Sequence, residues 1–282
     1  MEDFSAARAA KDYPNAIAIW DSLAEQNFAS ILAKNNGKYN SSLPAIFSSF
    51  MPKSGGTFLF NRMIESLGYL DFYWGITPEY SHSEVYPTSS SIDVYRKGGL
   101  FCHTHAIPSP YVRMMFREKG VSPVWVHVRD PAEVALAGFY HYQGVGQGEG
   151  AIWDERIAEM SKEKSFLNQR SKVNFESREQ FMRQTITFHA SWLNSWLEYA
   201  EDNPGGVFFT YFDELDDTRA LLKRVLLHYD CDFSLGGIAD DLPQDRRRKS
   251  GIRDWREGLS DETIEIVSRW SSVWERALAL RK

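Results

Sequence analysis

The sequence of 282 residues has little cysteine and no long apolar run. Its two cysteines, Cys102 and Cys231, lie far apart, which excludes a disulfide framework and predicts buried free thiols. No stretch of about 18 or more apolar residues occurs, and the first residues show no basic segment followed by an apolar one. These absences predict a cytoplasmic protein that does not span a membrane.

The sequence also lacks an excess of positive charge, and its cysteines and histidines lack the spacing of metal ligands. The net charge of −6 does not favour nucleic acid as a partner, because nucleic acids are usually bound by a basic surface. No cluster of cysteine and histidine has zinc-ligand spacing, so we predict no metal cofactor. Hydrophobic residues make up 43% of the chain, which is enough for a large core.

Strand-like and helix-like segments alternate along most of the chain. Short apolar runs predict buried strands at residues 45–51, 99–103, 124–128 and 206–211. Helical periodicity, or a proline in a first turn, predicts helices at residues 58–64, 110–118, 132–142, 176–201 and 213–228. The alternation predicts a single three-layer α/β domain with a central parallel sheet over residues 41–282. Residues 1–35 have a helical pattern of their own, and we predict an N-terminal helical extension over residues 1–40.

A short polar loop, Pro52-Lys53-Ser54-Gly55-Gly56-Thr57, joins the first predicted strand to a helix. Small residues let successive backbone N–H groups turn towards one point, and the helix adds its positive N-terminal end. Lys53 supplies a charge and Thr57 a hydroxyl. The loop therefore predicts binding of a phosphate or phosphosulfate group, although by itself it also fits an ordinary tight turn. It is not a Walker A motif, because no Gly-Lys-Ser/Thr closes it.

The segment Pro-Lys-Ser-Gly-Gly-Thr-Phe at residues 52–58 resembles the 5′-phosphosulfate loop of sulfotransferases, usually Pro-Lys-Ser-Gly-Thr-Thr-Trp. These enzymes use 3′-phosphoadenosine-5′-phosphosulfate (PAPS) as donor and have a fold like that of P-loop kinases. The resemblance implies that Lys53 also stabilises charge on the leaving phosphate. It assigns donor binding to six residues: Lys53, Ser54, Gly55, Gly56, Thr57 and Phe58. Gly56 departs from the pattern by replacing a threonine, and Phe58 by replacing a tryptophan that stacks on adenine.

The segment Val126–Ala135 is similar to the family's 3′-phosphate region, in which a strand ends in arginine followed by Asn-Pro-x-Asp-Val-Ala. Arg129 matches the arginine that binds the 3′-phosphate. The other interpretation of Arg129 is an ion pair at the start of a helix, for which Asp130 is a plausible N-cap. The family's serine eight residues after the arginine is Ala137 here. His127 is interpreted as structural.

A late basic segment at residues 248–256 resembles the family's Arg-Lys-Gly-x-x-Gly-Asp-Trp-Lys sequence. The resemblance assigns donor binding to Arg248, Lys249 and Ser250, the last of which replaces a glycine. A solvated charged surface is the alternative for such a run.

Two histidines flank Thr104 just after the second predicted strand. The family has Lys-Thr-His here, so the resemblance implies that His105 is the catalytic base, a role that suits a neutral imidazole. Strand alternation places His103 on the same face as His105. His103 stands where the family has lysine, whose charge either Lys53 or a protonated His103 would replace. We predict acceptor contacts for His103, Tyr140 and His141.

Together these patterns predict a sulfotransferase. It would move a sulfuryl group from PAPS to a hydroxyl or amine of a small-molecule acceptor by direct in-line transfer, releasing 3′-phosphoadenosine-5′-phosphate (PAP) without a metal. The alternatives are a nucleotide-dependent kinase or another phosphate-binding transferase on the same scaffold, and a module that binds a nucleotide without turnover. The sequence predicts neither the acceptor nor the oligomeric state.

Overall fold

The computed structural model of the chain describes residues 12–35, 39–72, 75–76, 86–147, 177–231 and 254–281. The described residues belong to two compact units. The first contains those up to Val128, those from Ser195 to Cys231, and Arg281. The second contains those from Arg129 to Asn194 and from Asp254 to Leu280.

A five-stranded parallel sheet lies at the centre of the first unit, in the order β2-β5-β1-β6-β7. A separate antiparallel pair joins β3 to β4. The bounds are β1 (Ile46–Phe50), β2 (Leu70–Asp71), β3 (Gly75–Ile76), β4 (Tyr86–Pro87), β5 (Leu100–Thr104), β6 (Val124–Val128) and β7 (Val207–Tyr211). The four predicted strands occur within one residue of their predicted bounds, which confirms the parallel α/β sheet.

The helices fall into both units. Those of the first unit are α1 (Tyr13–Ser22), α2 (Ala24–Lys34), α3 (Gly56–Asn61), α4 (Ser89–Tyr95), α5 (Pro110–Lys119) and α8 (Thr218–His228). A π-helical stretch, Arg62–Ser66, continues α3, and a 3₁₀ stretch, Phe212–Asp217, precedes α8. Those of the second unit are α6 (Pro131–Gln147), α9 (Asp261–Ser268) and α10 (Ser271–Ala279). Helix α7 (Arg178–Asp202) begins in the second unit and ends in the first.

Apolar side chains bury both faces of the five-stranded sheet. On one face, Phe50 belongs to a buried cluster with Leu59 of α3 and Leu222 of α8. On the other, the ring of Phe47 packs edge-on against Phe116 of α5, with centroids 5.0 Å apart. Every residue of β1 is buried, as expected for a central parallel strand covered on both sides. The arrangement has the predicted three layers.

The first two helices pack on α4 within the first unit. The backbone N–H of Ser90 donates to Asp21 at 2.7 Å, and Lys97 pairs with Glu25 at 2.6 Å. Pro14 occupies the first turn of α1, where a proline leaves no intrahelical bond unmade. The boundary at residue 40 between an extension and a domain stays a prediction.

The second unit is helical. Its core joins Leu136 of α6, Ile186 of α7, Trp255, and Val267 of α9. The carboxylate of Asp130 accepts from the N–H of Ala132 at 2.8 Å, which confirms the predicted helix cap. Helices α9 and α10 are not predicted from the sequence. None of the helices in the described stretches has the length and apolarity needed to cross a membrane.

Candidate active site

The phosphate loop, residues 52–57, joins β1 to α3 through two residues in the left-handed region. Lys53 has φ 61° and Gly55 has φ 89°. Left-handed residues within such a turn direct successive N–H groups towards one side of the chain, and the first N–H groups of a helix have no partner within it. Gly55 is the cap of α3, which continues into its π-helical stretch. The loop can therefore present main-chain donors to an anion.

Gly55 is required by its surroundings as well as by its backbone angle. A Cβ atom at this position would lie 2.5 Å from Cδ1 of the buried Leu215. Only glycine avoids this overlap and also adopts a positive φ without strain. The loop is thus held tightly against the 3₁₀ stretch that follows β7.

Ser54 anchors the loop to the sheet. Its hydroxyl and its N–H both donate to the carbonyl of Met51, at 2.6 and 3.1 Å, and the side chain is fully buried. Its own carbonyl accepts from the ring of His127 at 2.8 Å. The hydroxyl of Ser54 is therefore engaged within the protein, and its predicted role in donor binding stays a prediction.

Lys53, Thr57 and Phe58 have surfaces that differ in exposure. Burial lowers the pKa of Lys53 to about 8, so the ammonium form still predominates at neutral pH. Thr57 is exposed and Phe58 is half-buried. The guanidinium of Arg62 lies 5.1 Å from the centre of the Phe58 ring, in a cation–π contact.

The ring of His105 is fixed by the end of the strand that leads into the loop. Its Nδ1 lies 2.6 Å from the carbonyl oxygen of Phe50, the last residue of β1. A carbonyl can only accept, so Nδ1 carries the proton and donates it. In the neutral ring, Nε2 then carries the lone pair that a general base needs.

The backbone beside His105 is held by two further donors. The carbonyl of Ala106 accepts from the hydroxyl of Ser49 at 2.7 Å and from the indole N–H of Trp196 at 2.9 Å. The N–H of Ala106 donates to the hydroxyl oxygen of Thr104 at 3.2 Å. Both His105 and the segment that carries it are therefore ordered by named bonds to β1 and α7.

His103 and Gly56 share one space. The His103 ring lies 4.9 Å from the Phe50 ring, 5.6 Å from that of Phe60 and 5.4 Å from that of His105. A Cβ atom at Gly56 would lie 3.1 Å from Nε2 of His103, closer than carbon and nitrogen ordinarily approach. The rings of His103 and Phe50 therefore occupy the space into which a side chain at position 56 would extend.

The buried Nε2 of His103 has no hydrogen-bond partner among the described residues. Burial, and secondarily His105, lowers the pKa of His103 to about 3, so the ring is neutral at pH 7. This favours Lys53 over a protonated His103 as the replacement for the lysine charge, and the predicted acceptor contact of His103 stays a prediction.

Arg129, in the second unit, forms an ion pair at the start of a helix, as in the alternative interpretation of this residue. Its Nε donates to Glu133, one turn later, at 2.9 Å. Ala137 and Tyr140 lie half-buried on α6, and the Tyr140 ring contacts Phe139 with centroids 5.3 Å apart. The assignments of Arg129 to the 3′-phosphate and of Tyr140 to the acceptor stay predictions. Four further predicted positions lie outside the described residues: the side chain of His141, and Arg248, Lys249 and Ser250.

The sequence patterns assign no role in the site to four residues that hold it in place: His127, Thr210, Ser49 and Trp196. For His127 and Thr210 the available signal was a polar residue in a mainly apolar strand, since such residues need partners when buried. No such signal marks Ser49 or Trp196. Among the described residues, no group of three or more His, Cys, Asp or Glu side chains is arranged to hold a metal ion.

The sequence matches no protein-family model and no curated protein. Two solved structures are similar in fold. The mouse sulfotransferase SULT7A1, crystallised with PAP, has a TM-score of 0.49 and 16% identity, over 85% of this chain and 91% of that one. A sulfotransferase from Alicyclobacillus acidocaldarius has a TM-score of 0.44 and 13% identity, over 84% and 95%. At these values the similarity concerns the fold and assigns no activity.

Proposed function

We propose that this protein is a sulfotransferase that moves a sulfuryl group from PAPS to a hydroxyl or amine of a small-molecule acceptor. The observation that carries the proposal is the hydrogen bond from Nδ1 of His105 to the carbonyl of Phe50. It holds a base at the end of β1, three residues before Lys53 of the phosphate loop. A proton acceptor and an anion-binding loop at the same end of neighbouring parallel strands are the two parts that group transfer needs.

The phosphate loop is the proposed binding site for the 5′ end of the donor. The ammonium of Lys53 and the amides at the start of α3 offer positive charge and donors to the phosphosulfate. Thr57 offers an exposed hydroxyl. Phe58 offers a ring on which adenine could stack, either on the face opposite Arg62 or on the same face after Arg62 has moved away. By the sequence resemblance, Arg129, Arg248, Lys249 and Ser250 remain candidates for the 3′-phosphate.

In the proposed reaction, Nε2 of His105 takes the proton of the acceptor hydroxyl or amine as that atom bonds to sulfur. The bond from sulfur to the bridging phosphate oxygen breaks in the same step, and its electron pair stays on that oxygen. Lys53 and the loop amides stabilise this charge, which is the kind of preorganised stabilisation that contributes most to catalysis. The products are the sulfated acceptor, PAP and a proton on His105.

The first test measures donor binding and needs no acceptor. Titration calorimetry should show that wild-type protein binds PAP and that Lys53→Ala weakens binding by roughly 10–100-fold, as expected for the loss of a charge-assisted contact. Lys119→Ala is the control, because that lysine ends α5 and pairs with the exposed Asp93 of α4. Stabilisation by ATP with magnesium, and none by PAP, would favour the kinase alternative.

The second test measures transfer from ³⁵S-labelled PAPS to a panel of phenols, aliphatic alcohols and amines. His105→Ala should lower turnover by roughly 10²–10⁴-fold, the usual contribution of a general base, and leave PAP affinity unchanged. The control is His228→Ala, whose ring stacks on Phe208 at the edge of the first unit. Unchanged turnover in His105→Ala would remove the base assignment, and PAP binding with no transfer to any acceptor would favour a binding module.

A further inference from the structure

A histidine lies inside the sheet behind the phosphate loop, where the apolar strand β6 has no other ionisable residue. His127 is fully buried and pairs across the sheet with Phe50 of β1 and Thr210 of β7. A polar ring in such a position is strongly destabilising unless both nitrogens are hydrogen-bonded. Both are.

The hydrogen bonds of His127 can be assigned a direction. The indole N–H of Trp125, which can only donate, lies 2.7 Å from the hydroxyl oxygen of Thr210. Nδ1 of His127 lies 2.7 Å from the same oxygen, and Nε2 lies 2.8 Å from the carbonyl of Ser54. Because that carbonyl can only accept, Nε2 carries a proton.

The neutral ring then has its lone pair on Nδ1, which accepts the hydroxyl proton of Thr210. A ring with protons on both nitrogens would be charged, and burial lowers the pKa of His127 to about 3. One continuous chain of donors therefore runs from Trp125 through Thr210 and His127 to the carbonyl of Ser54.

The end of this chain fixes the direction of a loop amide. The peptide bond between Ser54 and Gly55 is planar and trans, so its N–H points opposite to its C=O. With the Ser54 carbonyl drawn towards His127 in the sheet, the N–H of Gly55 points away from the sheet. That is the direction in which an anion in the loop can accept from it.

We propose that His127 is a positioning residue of the phosphate loop, holding the Ser54 carbonyl so that the Gly55 N–H is aimed at the donor phosphate. The inference rests on the proposed function for the identity of the ligand, PAP, but not for the hydrogen-bond chain itself. His127 touches no ligand in this role and acts through Ser54.

The test compares two amide variants of similar polarity. In His127→Gln the amide nitrogen can take the position of Nε2 and donate to Ser54. In His127→Asn it takes that of Nδ1 and reaches only Thr210. We expect PAP affinity to fall by about tenfold in His127→Asn, the effect of one misdirected hydrogen bond, and by less than about threefold in His127→Gln. The KM for PAPS should rise in parallel while kcat changes little.

A purely structural role would lower the melting temperature and PAP affinity of both variants together, and that result would overturn the inference. Equal affinity in both variants and wild type would overturn it as well. If wild-type protein does not bind PAP, the proposed function fails, and hydrogen exchange of the Gly55 amide in free protein decides the inference. Faster exchange in His127→Asn than in His127→Gln supports it, and equal exchange overturns it.

If the His127 variants do not fold, a measurement on wild-type protein still tests the inference. The ¹⁵N shifts of the His127 ring should show a protonated Nε2 and an unprotonated Nδ1, and the same form should persist with PAP bound. Observation of the opposite tautomer would contradict the chain of donors and with it the positioning role.

Discussion

The two regions predicted to hold the two ends of the donor are built in different ways. The phosphate loop depends on main-chain geometry: left-handed angles at Lys53 and Gly55, and a Ser54 peptide fixed by three hydrogen bonds. The region of Arg129 depends on one long side chain, which is paired with Glu133 in the first turn of the helix that follows, α6. The phosphate loop would bind an anion through main-chain amides that are already in place. Arg129 would bind one by redirecting donors that now face Glu133.

This difference indicates where a mutation would act. A residue that shapes the loop cannot change without shifting several donors at once, so binding and folding should fall together. The side chains of Arg129 and Glu133 are 16% and 34% exposed, so their ion pair is more buried than the surface pairs that contribute about 0–1 kcal/mol to stability. Replacement of Arg129 should lower binding and stability without reshaping a backbone turn.

The largest expected effect is on the free energy of unfolding, and it compares a glycine of the phosphate loop with a glycine of an ordinary turn. Gly55→Ala adds a Cβ in the left-handed region and 2.5 Å from Leu215, whereas Gly68→Ala, at φ 75°, meets nothing within 4 Å. We expect Gly55→Ala to lower the free energy of unfolding by about 3 kcal/mol and Gly68→Ala by about 1 kcal/mol, from backbone strain alone. Urea denaturation measures both. Equal losses would show that the loop is no tighter than a surface turn.

The second prediction distinguishes the two ends of the donor by ligand. Arg129→Ala should weaken PAP by roughly 10–100-fold, because the 3′-phosphate loses a charge-assisted bidentate partner. It should not change the affinity for 5′-AMP, which lacks that phosphate, whereas Lys53→Ala should weaken both. Calorimetry with the two nucleotides measures this, and Glu133→Gln, which keeps the arginine, should bind PAP at least as tightly as wild type. An equal loss of both ligands in Arg129→Ala would contradict the assignment to the 3′-phosphate.

The third prediction tests whether the His103 ring limits the size of the side chain at position 56. Gly56→Ala places a Cβ 3.0 Å from Phe50 and 3.1 Å from His103, and we expect a loss of about 1–2 kcal/mol in unfolding free energy. In a His103→Ala background the same change should be less costly by about 0.5–1 kcal/mol, because one of the two close contacts is gone. A double-mutant cycle in urea measures the coupling. Strict additivity would show that the two positions vary independently.

The sheet is the part of the molecule that the sequence predicts best. Strands such as β1 and β6 are buried on both faces, and their short, largely apolar runs predict their bounds to within one residue. The loop is predicted for a related reason, since its glycines and lysine are adjacent in sequence. Helices α9 and α10 escape prediction because they are only eight and nine residues long, so their apolar periodicity covers little more than two turns.

The side-chain relationships of the site are harder to predict, since they join residues far apart in the chain. Nothing in sequence spacing shows that His103 fills the space above Gly56 or that the His105 ring bonds to Phe50. The chain of donors through Thr210 and His127 likewise depends on the order of β7 and β6 in the sheet. Such contacts follow from topology and register, which a list of motifs does not contain.

The remaining expected effect concerns pH and again contrasts the loop with Arg129. The pKa of Lys53 is lowered to about 8 by burial, so the ammonium form predominates below that pH and the neutral amine above it. A bound anion favours the ammonium, and binding above pH 8 must therefore take up a proton. The phosphates of PAP are already ionised above about pH 7, because their second pKa is near 6.

We expect PAP affinity to fall about tenfold between pH 7 and pH 9 by this linkage. Lys53→Arg, whose guanidinium stays charged, should show a flat profile, whereas Arg129→Ala should keep the wild-type slope at lower affinity. The same fall in Lys53→Arg would assign the pH dependence to a group other than Lys53.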